Sequence, residues 1–153
     1  MKNLLLLFAF SLFFSSISLG QNNRKEYDST LAKTFGGDEY GMKMYVFVAL
    51  KTGSYKPKDS LESKSLFMGH MGNIVKLAKE GKLIVSGPFG SNQLSYRGLF
   101  ILDVPTIEEA KKLVQTDPAI KIGLFDVDLI PWYGSAALPA YLPIHDKIQK
   151  NDF

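Results

Sequence analysis

Two histidines, 15 acidic residues and no cysteine set the chemistry that this chain can offer. The absence of cysteine excludes disulfides, thiolate catalysis, iron–sulfur clusters and cysteine-held zinc. Histidine is the side chain that titrates near neutral pH, so His70 and His145 are the first candidates for proton transfer. His70 sits at helical spacing, one turn after Leu66 and one turn before Ile74, on the apolar side of a predicted helix. An imidazole facing inward needs a hydrogen-bond partner, or it leaves an unsatisfied polar group costing about 1–3 kcal/mol. That partner is either a backbone carbonyl, which makes His70 a core residue, or a carboxylate that fixes the tautomer for general acid/base work. His145, in Leu142-Pro143-Ile144-His145-Asp146-Lys147, reads as solvated. The two histidines have no His-x-x-His spacing, so no metal site is expected. Asp117 precedes Pro118 and suits the N-cap of a short helical turn. Asp126 and Asp128 read as outward charges that protect an edge strand. The chain has no Gly-rich phosphate loop and no Gly-x-Ser-x-Gly elbow, and no cofactor is expected.

The elements that must position these groups follow from periodicity. Met44 to Leu50 is an apolar, β-forming run and predicts the first strand. Lys51 to Ser60 is a loop. From about Leu61 to Glu80 the period becomes helical, with Leu66, Phe67, Met71, Ile74, Leu77 and Ala78 on one arc and Gly81 as the stop. Leu83 to Ser86 and Leu99 to Val104 predict the second and third strands. Thr106 and Glu109 form a capping-box pattern ahead of a helix that runs to about Gln115. Leu124 to Ile130 alternates as a fourth strand, closed by Pro131-Trp132-Tyr133. Residues 21–42 read as a linker or arm, 43–133 as one domain, and 134–153 as a tail.

The order is βαββαβ, an α+β, ferredoxin-like arrangement with the first and third strands central. Two helices cover only one face of such a sheet. Central strands that are apolar on both faces call for a second layer, most economically a second copy around a twofold axis. A homodimer is the expectation. The formal net charge of +3 is dispersed, and the pairs Lys56/Lys58 and Lys111/Lys112 read as solvated faces, so nucleic acid is not an expected partner.

The segment from His70 through Gly81-Lys82-Leu83 resembles the histidine-bearing first helix and Gly-x-Leu exit of the YCII-related (YciI-like) family. Gly87-Pro88, Gly98, Asp117-Pro118 and Pro131-Trp132 match further family positions in order, so that the resemblance spans about Met44 to Tyr133. It implies a dimeric ferredoxin-like (α+β barrel) fold with His70 and Asp117 as a His–Asp pair in a pocket. Two departures bear on that pocket. Lys64 to Gly69 contains no arginine, and Ala119-Ile120 stands where an aromatic often follows Asp-Pro. Two functions are compatible with these features. In one, His70, oriented by Asp117, performs proton transfer, isomerisation or elimination on a small cyclic or aromatic compound, without metal or flavin. In the other, the domain is a non-catalytic exported dimer that binds a small ligand or a protein.

Export is read from the first 20 residues. Met1-Lys2-Asn3 is a positive start, Leu4 to Phe14 is apolar but for Ser11, and Ser18-Leu19-Gly20 places small residues at −3 and −1 of a cut. The run falls short of the ~20 residues needed to span a bilayer, so cleavage is expected, with no stable membrane insertion and a periplasmic or secreted product. Intact mass of protein recovered from periplasm or medium should correspond to a chain starting at or near Gln21. Full-length protein confined to the cytoplasm would defeat this expectation.

Overall fold

In a computed structural model, residues 26–151 are described; the signal-like stretch 1–20 lies outside them. The first strand, β1 (Met42–Thr52), leads into the long helix α2 (Ser60–Lys79). The hairpin β2 (Leu83–Pro88) and β3 (Tyr96–Leu102) follows. Helices α3 (Ile107–Val114) and α4 (Pro118–Lys121) then precede the last strand, β4 (Phe125–Ser135). The strands form one antiparallel sheet in the order β2-β3-β1-β4, with β1 and β3 central. This is the α+β, ferredoxin-like order that the sequence implies.

Alternation along β1 divides the molecule. Val46, Val48 and Leu50 face the helices and build the core with Leu77, Leu83, Phe100, Leu102, Val114 and Ile120. Each of these is nearly or fully removed from water, and burial of a side chain of this size is worth about 1.5–3 kcal/mol. Phe125, Val127 and Leu129 of β4 pack against the same core. Tyr45, Phe47 and Ala49 point to the other face, opposite Trp132, Ile130 and Asp128.

Local chemistry sets the helix ends. The Asp59 side chain accepts from Glu62 N at 2.8 Å to start α2. Gly81 ends it at φ +67, the left-handed conformation, and Lys82 N reaches back to Leu77 O. Thr106 caps α3 by accepting from Glu109 N at 3.2 Å. The reciprocal half of the expected capping box differs: Glu109 meets the Thr106 hydroxyl at 3.4 Å rather than its backbone N–H.

Several expectations need correction. The inward stripe of α2 is His70, Asn73 and Leu77, whereas Phe67, 55% exposed, and Ala78 face outward. His70 faces inward as its spacing implies, and the stripe turns toward Asn73, a polar position that an apolar count leaves out. The arm contains a seven-residue helix, α1 (Ser29–Phe35), capped by Asp28 and by left-handed Gly36. Asp38 ties the arm to the sheet by accepting from Tyr40 N, Met42 N and the Tyr133 hydroxyl. Those bonds, the Tyr133 hydroxyl first, hold the Asp38 carboxyl below the usual range. β4 does not close at Pro131 but runs on to Ser135; an edge strand tolerates proline where the missing N–H would face solvent. The tail forms a 3-10 turn (Leu138–Tyr141) and helix α5 (Leu142–Ile148), held to the edge of β2 by the Tyr141 hydroxyl donating to Ile84 O.

On the far face, Tyr45 is fully buried beside Trp132, and its hydroxyl donates to Ser135 O at 2.9 Å. Burial, aided by the charge of Asp103, pushes the Tyr45 hydroxyl up to about 12. The unfolded chain loses this proton near the ordinary value of about 10. The contribution is therefore complete below pH ~10 and lost as pH rises from ~10 to ~12. In Tyr45→Phe the fall of the urea midpoint across that window should be shallower than in wild type. An unchanged alkaline slope would count against a buried, neutral Tyr45.

Candidate functional site

The site joins the middle of α2 to the start of α4. Asp117 is fully buried and uses both carboxylate oxygens. Its Oδ1 accepts from Ala119 N at 2.9 Å and Ile120 N at 3.4 Å, which starts α4. Its Oδ2 lies 2.6 Å from His70 Nδ1. A carboxylate only accepts, so the proton of this bond belongs to Nδ1. The short separation fits a charge-assisted bond. One side chain thus serves both as the N-cap of α4 and as the partner of the histidine.

His70 is 8% exposed, and what remains open is informative. Among the described residues, no buried side-chain nitrogen or oxygen lacks a hydrogen-bond partner. The ring's one hydrogen bond is made by Nδ1, so Nε2, which has no such bond, is not sealed from solvent. Three phenyl rings surround it. Phe100 stacks with centroids 5.9 Å apart, Phe125 lies at 5.1 Å and tilted, and Phe67 at 6.5 Å on the outer side. In the neutral form, the proton on Nδ1 leaves the lone pair on Nε2. Such an imidazole can take a proton at Nε2 while its other nitrogen stays anchored.

The remaining candidates lie elsewhere. His145 is exposed on α5, against Tyr141. Asp126 is exposed, and Asp128 pairs with Lys51 at 2.7 Å on the far face of the sheet. Among the described residues no three histidine or acidic side chains gather as a metal-holding group.

The sequence profile of the YCII-related domain matches residues 47–133, from β1 into β4. The chain belongs to the YCII-related family. No curated protein matches it. Among solved structures, it is similar to 5-chloro-2-hydroxyhydroquinone dehydrochlorinase from Burkholderia phenoliruptrix AC1100, in complex with 2,5-dihydroxybenzoquinone. The identity is 21% over 57% of this chain and 92% of that one, with a TM-score of 0.41.

In this YCII-related domain several residues around the pair were not singled out by sequence. Phe100 and Phe125 read simply as strand residues. Asn73 and Thr116 approach to 2.8 Å beside the pair. Gly69 carried a usable signal, because glycine inside a helix costs about 1 kcal/mol against alanine and implies a packing reason. The reason is Pro118: a Cβ on Gly69 would lie 2.5 Å from its Cγ. Gly69-His70 thus packs directly on Asp117-Pro118, and the missing side chain sets how near α2 and α4 come. Gly69→Ala should lose stability, since overpacking of about 1–3 kcal/mol outweighs the propensity gain of about 1 kcal/mol. Urea unfolding reads the difference; a variant as stable as wild type would show that Pro118 yields freely.

Proposed function

We propose that the chain is an exported, cofactor-independent acid/base catalyst acting on a small cyclic or aromatic compound. The observation that carries this reading is the asymmetry of His70: Nδ1 is held by a sealed carboxylate, whereas Nε2 makes no hydrogen bond and is not sealed from solvent, in an imidazole flanked by phenyl rings. In the forward step, Nε2 takes a proton from a carbon or oxygen of the substrate. The ring becomes imidazolium, with the Asp117 charge already placed against it. In an elimination, the electron pair left by the C–H proton forms the new double bond while the leaving group departs with its own bonding pair. The imidazolium then returns the proton to that group. In an isomerisation, the proton returns to a different atom of the same molecule. Both cycles restore neutral His70, and neither needs an external oxidant. Phe67, Phe100 and Phe125 favour a flat, apolar ring beside the base.

A second reading is favoured by the other half of Asp117. Because Oδ1 caps α4, the carboxylate has structural work independent of any reaction, and the domain then binds a ligand or protein without turning it over. His70→Gln separates the two. Under the catalytic reading, a screen of small cyclic acids and lactones yields a substrate for the wild-type protein, and the variant stays folded but loses about 10²–10⁴-fold in rate. A variant that unfolds, or that turns over the substrate normally, would favour the structural reading.

The same proposal includes a homodimer. On the face away from the helices, Phe47, Leu99 and Ile101 are partly uncovered, Ile130 is 50% exposed, and Trp132 adds an aromatic edge. Packing two such faces would remove this apolar surface from water. Light scattering should give about twice the chain mass. A stable monomer at micromolar concentration would mean that the face does not pair.

A further inference from the structure

We propose that Asn73 and Thr116 are positioning residues for the His70–Asp117 pair, an inference that rests on the acid/base reading above. Three contacts in a row join α2 to the segment entering α4. Gly69 meets Pro118, His70 meets Asp117, and Asn73 meets Thr116. The two outer contacts act in opposite senses. Pro118 against the bare Cα of Gly69 is a stop, which fixes the closest approach of the two segments. Asn73 and Thr116 form a tether, which fixes the farthest. The 2.6 Å bond between them survives only if the gap stays within a fraction of an ångström, because hydrogen bonds weaken steeply beyond their normal range.

The Thr116 hydroxyl lies 2.8 Å from the Asn73 side-chain oxygen position and 2.7 Å from Leu113 O. The hydroxyl has one proton to donate, and it is shared between these two acceptors. The relay runs from Asn73 through Thr116 to the last turn of α3, and it locks the residue before Asp117 to two helices at once. Asn73 is 8% exposed on the inward stripe, one turn before the buried Leu77. A buried amide at such a position costs stability unless it is hydrogen-bonded.

The test reads the His70 ring in the full chain labelled with 15N-histidine. Thr116→Val removes the hydroxyl at an exposed position while keeping the shape, and Thr116→Ser keeps the hydroxyl. In Thr116→Val the Nδ1-bound proton should exchange with solvent about tenfold faster, the change expected from loss of an ordinary hydrogen bond. Thr116→Ser should restore the wild-type rate, and Asn73→Ala should reproduce the Val result from the other side of the tether. Wild-type exchange in Thr116→Val, or an acceleration shared equally by the β1 amides, would overturn the proposal, since the contact would then serve only the fold. Asp117→Asn in parallel isolates the underlying pair. If that variant leaves the His70 ring 15N shifts and exchange as in wild type, the pair itself is absent and both readings fall together.

Discussion

The Asp117 carboxylate is the constraint on which the candidate site depends. It is sealed from water, and a charged group in that position persists only if its oxygens are satisfied. One oxygen is satisfied by the first N–H groups of α4 and the other by His70. His70 and Asp117 stand 47 positions apart in sequence, so the carboxylate fixes the relation between α2 and α4. Removing it would free the start of α4 and the ring of His70 together. The glycine that lets Pro118 rest on α2 is part of the same constraint, because an extra methyl group there would push the carboxylate away from the ring.

What the sequence made legible was the order and rank of the strands. β1 and β3 are apolar on both faces and therefore had to be central, and the register bears that out. Helix caps were legible too, since Thr106, Asp117 and Gly81 act through bonds to their own neighbours. The orientation of α2 was less so. Phe67 joined the apolar arc by type yet lies on the outside, and Asn73 was passed over though it is buried. Periodicity weighs apolar residues and cannot see a polar side chain whose partner comes from a distant segment. The helix in the arm escaped for the opposite reason. It buries no residue and is held by its two caps, so it has no apolar stripe to announce it.

The pair itself shows how far a single residue's local role can mislead. Asp117-Pro118 is a sufficient helix start, and nothing in its composition requires a second partner. His70 is adequately explained by any backbone carbonyl. Only the family pattern pairs the two, and only the fold gives the distance between them. The surrounding phenyl rings were equally hidden. Phe100 and Phe125 belong to different strands that flank β1 without touching each other in sequence, and their meeting at His70 follows from the strand order rather than from any local motif.

The two faces of the sheet divide the work along a single strand. Even-numbered residues of β1 support the helices, and through the helices the ring of His70. Odd-numbered residues carry the buried Tyr45 and the partly open apolar face. Because side chains alternate with a period of two, a one-residue slip of β1 would exchange these faces and lose both at once. The ion pairs Lys43–Asp103 and Lys51–Asp128 flank the strand near its two ends on the odd-numbered face. Surface pairs of this kind add little stability, about 0–1 kcal/mol each. Their value here is directional: in a slipped register Lys43 and Lys51 would turn toward the apolar core, where a charge without a partner is far more costly than the pair is favourable. The register that keeps these lysines with their acidic partners is the one that brings Phe100 and Phe125 to either side of β1, beside the histidine.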